Sequence, residues 1–309
     1  MPGYIAGVGG VAMDVIARCE GSSVAGDKNP ARISTNPGGV TRNICENLAR
    51  MGERVELLAA LGDDSFGREI RALSTAAGIG MSHVLVSGTG RTSCYMAMLD
   101  ADGDMVTAAS DFAIASELSG EYFQRERDVL QGASAVVTDG NLSPSQLSAL
   151  LDAAGSVPVY IDPVSEAKSA HLKNLVGRFA MIKPNLRELE ALSGIRCSGE
   201  EKVEEACAEL IARGCETVVV SLGENGCYCR TAKGESIHQK LPGRAVMKNA
   251  TGAGDAFMAG FLSGRVRGLD TSACLDRALA AGWIAVESSE TINPAMSDRK
   301  ISELLDKIK

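Results

Sequence analysis

The sequence predicts an α/β protein built on a doubly wound, mostly parallel β-sheet. Three observations lead there. Short β-branched runs alternate with amphipathic helical stretches, the pattern of βαβ units. No linker, repeat or low-complexity tract breaks the 309 residues, a length that suits one large domain spanning 1–309. Glycine is plentiful at 34 residues and aromatics make up only 4%, which favours close helix–sheet packing and backbone-lined turns.

Taken in order, the first strand is predicted near Ile5–Val8, with the opening MPGYIAGVGG reading as a strand that enters a turn. Residues 15–37 lack helical periodicity and hold the turn formers Gly21, Gly26 and Asn29-Pro30. A helix follows, with Ile44, Leu48 and Met51 at i, i+4, i+7. Strand Val55–Ala60 comes next, and Asp63 and Asp64 after it read as turn acids. Residues 91–110 predict a hairpin: Cys94–Leu99, a turn at Asp102-Gly103, then Met105–Ala109. Further strands are expected near Ala135–Asp139, Val157–Ile161, Ala180–Lys183 and Thr217–Leu222, with a helix carrying Val203, Ala206 and Leu210 between the last two. The two segments outside the alternation, about 15–37 and 91–112, are expected to pair into a small β-strand lid; its exposed strand edges could also clasp a second copy into a homodimer.

Composition excludes several classes of function. A net charge of −8 argues against a nucleic-acid partner, which calls for clustered Lys and Arg. No apolar run is long enough to span a membrane. The nine cysteines form no C-x-x-C pair and no metal-type spacing with His, so free thiols in a reducing, cytoplasmic setting are expected. His83, His171 and His238 fall in no constellation, and surface roles are expected for them.

The strongest chemical signal is NATGAGDAFMAG, residues 249–260. Gly252, Ala253 and Gly254 leave a backbone without bulky side chains, and Phe257/Phe261 and Met258/Leu262 at i, i+4 mark the helix that follows. Such a helix start offers unpaired N–H groups and the positive end of the dipole, a fit for a phosphate or a developing phosphoryl charge. Asp255 at its edge can accept the proton of an attacking hydroxyl. An ionised Asp255 with an ordinary or lowered pKa is expected there. The bland alternative is a simple helix start with an acid in its first turn.

The second signal is NPGGVTRNICENLARMG, residues 36–52. Gly38-Gly39 permits close backbone approach, and Asn43 in the next first turn suits hydrogen bonding to vicinal hydroxyls; a turn with a local cap is the alternative.

G-G-x-x-x-N early and T-G-A-G-D late, at this separation, resemble the two signatures of the PfkB carbohydrate and nucleoside kinases, over essentially the whole chain. Within that family GDKNP, LGDDSFG, TSCYMAMLD, YIDPVSEAK and IKPNLRELEALSGI are similar to the pseudouridine kinase branch. The resemblance implies a ribokinase-like three-layer αβα fold and ATP- and Mg²⁺-dependent phosphorylation of the 5′-hydroxyl of pseudouridine. It implies general-base catalysis by Asp255 with Gly252, Ala253 and Gly254 as anion hole. Asp14, Gly38, Gly39 and Asn43 would bind the ribose, and Asn29 and Asp111 on the lid would close over the base. Asn185 and Glu188 would orient Mg²⁺ and its waters, and Ser221, Gly223 and Thr251 would serve the nucleotide.

The chain departs from many ribokinases in having Asn249 rather than Asp ahead of the T-G-A-G-D element. A neutral amide offers less charge to K⁺, so a K⁺ site at Asn249, Thr251 and Ser288 stays open. Glu188 could instead be a solvated helix residue, Asp162 a turn former before Pro163, and Lys168 merely exposed. Trp283 reads as helix packing near the nucleotide pocket. Two functional readings compete with the pseudouridine assignment: the same chemistry on uridine, adenosine, inosine or ribose, and a non-catalytic nucleoside-binding protein, against which the intact Asp255 argues.

Overall fold

A computed structural model of the protein describes residues 3–308. Nine strands form the main sheet, in the spatial order Ser236–Gln239, Cys227–Thr231, Thr217–Ser221, Met181–Ile182, Val159–Asp162, Ala135–Asp139, Ile5–Val8, Val55–Leu58 and Ile79–Gly80. From Thr217–Ser221 to Ile79–Gly80 every pairing is parallel, and the two strands beyond Thr217–Ser221 add an antiparallel meander. Strand order reverses direction between Ile5–Val8 and its two neighbours, Ala135–Asp139 and Val55–Leu58. A doubly wound sheet opens its ligand crevice at such a point.

Period-2 alternation sorts side chains onto two faces. Ile5, Leu57, Val137 and Val219 enter one core, which also holds Ile44 and Leu48 of helix Val40–Arg50 and Phe261 of helix Ala253–Val266. Ala6, Val8, Leu58, Val136, Val218 and Val220 enter the other, against helices Pro144–Ala154, Leu186–Ser193 and Glu200–Ala212. Helix Ala253–Val266 packs on helices Thr271–Val286 and Val40–Arg50 and is buried almost all round, from Asp255 to Gly264.

The expected small sheet exists. Its strands run in the order Ala31–Gly38, Ala12–Cys19, Ser93–Leu99, Met105–Asp111. The two distant segments meet in parallel, Ala12–Cys19 against Ser93–Leu99, and each carries its own antiparallel partner. The first strand begins at Ala12, three residues ahead of the predicted segment, so Asp14 lies within this sheet.

Several predicted bounds are corrected. The run Val55–Ala60 divides at Ala59: Val55–Leu58 stays in the main sheet, while Ala60–Gly62 pairs with Leu85–Ser87 in a separate ribbon. Val157–Ile161 shifts to Val159–Asp162, because Pro158 lacks the N–H that a ladder requires. Ala180–Lys183 shortens to Met181–Ile182, and Thr217–Leu222 ends at Ser221. No helix among the described residues is long and apolar enough to cross a membrane. All nine cysteines are unpaired.

Candidate active site

The site is assembled where the two glycine-rich turns converge. Gly252 caps helix Ala253–Val266 in the left-handed region, with φ 80°, and a Cβ there would collide with the carbonyl of Thr291. Only glycine fits. The turn thus leaves the first backbone amides of the helix uncapped by any side chain. In the early turn the glycines serve the protein's own packing. The space at Gly38 is filled by the Asp14 carboxylate, and Gly39, with φ 104°, sits against the carbonyl of Gly10.

Asn43 joins the two turns. Its Nδ2 donates to Asp255 Oδ2 at 2.9 Å, and its Oδ1 accepts from Arg42 Nη1 at 3.3 Å. The amide expected to hold ribose hydroxyls therefore orients the carboxylate. Arg42 is buried and bonded to Glu46 and to the Pro37 carbonyl, so this end of the helix is fixed from below.

Asp255 overturns one expectation. In place of an ordinary or lowered pKa, its carboxyl is pushed up to about 8. Burial is the main cause and the nearby Asp162 and Asp139 carboxylates add to it, while the Asn43 bond and the Lys183 ammonium work against it. Sequence reading missed this because the acids concerned come from three different strands and helices.

Those neighbours stand at the carboxyl ends of adjacent parallel strands, where Asp139 and Asp162 are register partners. Asp139 is fully buried and accepts from Thr41 N at 3.0 Å, Thr41 Oγ1 at 2.7 Å and Asn141 N at 2.8 Å. Asp162 accepts from Val164 N at 2.8 Å and lies 3.0 Å from Lys183 Nζ. The turn-former reading of Asp162 thus holds and is incomplete. Val164 has φ 70°, the one non-glycine residue with positive φ among those described, a strained setting for a β-branched side chain. The sequence signal for both acids was an Asp closing a buried apolar run.

Asn185 and Glu188 form a capping box on helix Leu186–Ser193: Asn185 Oδ1 accepts from Glu188 N at 3.0 Å, and Glu188 Oε2 accepts from Asn185 N at 2.9 Å. Glu188 is buried, with its pKa raised chiefly by desolvation, so the solvated-helix alternative is excluded. Each carboxylate oxygen takes one bond from Asn185 and retains capacity for a water. No group of three or more His, Cys, Asp or Glu among the described residues is arranged to hold a metal directly. That donor set suits a Mg²⁺ held through water and phosphates.

Asp14 is half-buried, and burial raises its pKa to about 6 against the pull of Arg42. Asp14 and Asp111 both act on the Cys94 thiol, whose pKa is raised first by burial and then by these two acids. Asp111 accepts from Ala113 N at 3.0 Å. Asn29 is half-buried, and its side chain is spent on its own loop, bonding Val24 N, Val24 O and Asp27 O. Lys168 is not merely exposed: it bonds Asn141 Oδ1, bringing a cation to the crevice. Across the same crevice a Cβ at Gly10 would touch Asn141 and Phe112.

A cavity of about 510 Å³ opens on the other side of the late turn. Ser221, Gly223, Ala253, Gly254, Phe257, Met247 and Trp283 line it, a mostly apolar slot ending at the uncapped helix amides. Thr251 N donates to Asn249 Oδ1 at 2.9 Å, and Asn249 Nδ2 donates to Ser289 O at 3.3 Å. These bonds tie the loop at Asn249 and Thr251, where a K⁺ site was left open, to the segment holding Ser288. Among the histidines, His83 is paired with Glu126 at 2.9 Å and partly buried, which corrects the surface role expected for it.

The sequence profile of the pfkB family carbohydrate kinases matches residues 3–299. The chain belongs to this family. It is therefore a phosphotransferase acting on a hydroxyl group. It is 34% identical to pseudouridine kinase of Escherichia coli strain K12 over 98% of this chain and 96% of the relative. A carbohydrate kinase from Agrobacterium tumefaciens superposes with a TM-score of 0.88 at 26% identity, covering 99% of this chain and 98% of the other. Arabidopsis thaliana ribokinase, solved in complex with ribose and ATP, superposes at 0.84 with 22% identity and 99% coverage of both chains, a likeness of fold.

Proposed function

We propose that this pfkB-family kinase transfers the γ-phosphoryl group of ATP to the 5′-hydroxyl of pseudouridine. The observation that supports the transfer chemistry is the Asn43–Asp255 hydrogen bond, which joins a buried carboxylate in the first turn of the uncapped late helix to the helix that follows the early Gly-Gly turn. The choice of acceptor rests on the likeness to pseudouridine kinase along both chains.

Asp14, seated in the space that Gly38 leaves open, accepts hydrogen bonds from the ribose hydroxyls, Gly39 lets the turn close on Gly10, and Asn43 positions Asp255. The 5′-hydroxyl attacks phosphorus and gives its proton to Asp255 as the bond to ADP breaks. The loose transition state lets that proton leave late. Gly252, Ala253 and Gly254 present amides to the equatorial oxygens. Asn185 and Glu188 order the water shell of Mg²⁺, which when bound neutralises phosphate charge. Ser221, Gly223 and Thr251 belong to the nucleotide side, and a K⁺ at Asn249, Thr251 and Ser288 would support the same turn.

The small sheet acts as a lid, bringing Asn29 and Asp111 over the base once the loop that now occupies Asn29 rearranges. Its exposed apolar side chains Ile33, Met96 and Met105, with every residue of Met105–Asp111 exposed, make it the face for a second copy of the chain.

The test is a panel of pseudouridine, uridine, adenosine, inosine and ribose with ATP and Mg²⁺, read as ADP release and product mass. Preference for pseudouridine supports the assignment. Preference for ribose or another nucleoside would replace the acceptor and leave the kinase. No turnover on any of them would favour a binding protein.

A further inference from the structure

We propose that Asp139 is a positioning residue of the transfer: its carboxylate locks the helix carrying Asn43 to the loop carrying Asn141, and so fixes Asp255 relative to the crevice beside Asn141. Asp139 ends strand Ala135–Asp139 and is fully buried. Its Oδ2 accepts from Thr41 N at 3.0 Å and from Thr41 Oγ1 at 2.7 Å. Its Oδ1 accepts from Asn141 N at 2.8 Å.

The bonds to Thr41 bear on the base. Helix Val40–Arg50 starts behind Gly39, which has no side chain to cap the first amides. Asp139 supplies that acceptor from 98 positions away, and its negative charge suits the positive end of the helix dipole. A helix capped by its own flanking residue can shift as a unit, whereas one capped from a strand end is tied to that strand. Asn43 follows Thr41 in the same helix and holds Asp255 Oδ2 at 2.9 Å. The end of strand Ala135–Asp139 therefore sets where the base stands, through Thr41 and Asn43.

The bond to Asn141 bears on the acceptor. It turns the chain so that Asn141 Oδ1 accepts from the Lys168 ammonium, while Gly140 N donates to Asp162 O at 2.8 Å on the adjoining strand. Asn141 is also the residue that a Cβ at Gly10 would touch across the crevice. One carboxylate thus governs both the helix that orients the base and a wall of the crevice.

The packing leaves no slack. A Cβ at Gly9 would lie 2.4 Å from Thr41 Oγ1 and 2.9 Å from Asp139 Oδ2, so only bare backbone passes this knot. Its three donors are two amides and a hydroxyl, all neutral, and they offset only part of the cost of burying the charge. The arrangement serves geometry more than stability. Asp139 itself takes no proton from the acceptor. The inference rests on the kinase reading and is independent of which hydroxyl is the acceptor.

The experiment compares full-length Asp139→Asn, Thr41→Val and Thr41→Ser with the wild type, using ATP, Mg²⁺ and the best acceptor of the panel. Circular dichroism melts fix a temperature at which each protein is folded. Asp139→Asn should lower kcat by about tenfold to a hundredfold, the scale of a misplaced reacting group, while calorimetric affinity for ADP changes little. Thr41→Val should show the same split in milder form, and Thr41→Ser, which restores the hydroxyl, should recover most of the loss. A folded Asp139→Asn with wild-type kcat would overturn the proposal. Equal losses in kcat and ADP affinity would overturn it too, as would a Thr41→Ser no better than Thr41→Val, since both patterns mark a general loss of structure. Should Asp139→Asn fail to fold, the two Thr41 variants decide by the same criteria. A wild type without turnover on any acceptor would end the kinase reading, and this inference with it.

Discussion

Asn43 Nδ2 donates to Asp255 Oδ2 at 2.9 Å across 212 positions of sequence, so the helix after the early Gly-Gly turn holds the carboxylate of the late one. Replacing Asn43 with Ala should lower kcat more than it raises the acceptor KM, because a positioning contact is lost and Asp14 remains. The split between kcat and KM measures this; a rise in KM alone would mark Asn43 as a ribose ligand and nothing more.

Asp255→Asn should reduce kcat by roughly two or more orders of magnitude with a much smaller loss of nucleotide affinity. Steady-state turnover beside calorimetric ATP affinity checks it. Normal turnover in the variant would end the assigned role.

The same carboxyl sets a pH dependence with a definite sign. A base must be ionised, and burial holds Asp255 at about 8. The acceptor kcat/KM of the free enzyme should therefore climb with pH and level off above about 8, by about tenfold per unit on its acid limb. For stability the folded pKa lies above the ordinary 3.8, so the folded state binds the extra proton. This group's contribution is full below 3.8 and is lost as pH rises through about 8. The melting temperature of Asp255→Asn should gain on the wild type between pH 5 and pH 8.5; a constant difference would contradict the raised pKa.

Asp14→Ala should weaken acceptor binding chiefly, and acceptor KM in the wild type should improve as pH rises through about 6, where Asp14 ionises. Gly38→Ala should mimic the defect in milder form, since a methyl group there intrudes on the Asp14 carboxylate. Initial-rate kinetics across acceptor concentration decide both, and an unchanged KM in Asp14→Ala removes it from the site.

If the small sheet clasps a second copy, Met96→Lys and Met105→Lys together should shift sedimentation from dimer to monomer. Equal sedimentation of variant and wild type would place the contact elsewhere or abolish it. Both side chains are exposed, at 53% and 61%, so the substitutions should leave the fold intact.

Much of this protein was legible in one dimension. Period-2 and period-3.6 patterns gave the α/β architecture, since alternation along a strand and recurrence along a helix are local consequences of backbone geometry. The two glycine-rich turns were legible because a missing Cβ and a helix start are local features. The tertiary structure alone decided that Asn43 faces Asp255, that Lys183 and Asp162 pair beside Gly254, and that Asp255 holds its proton to about pH 8. Each depends on which strand ends lie side by side and on how much water is excluded there, and a carboxyl's charge state follows from neighbours that sequence distance does not reveal.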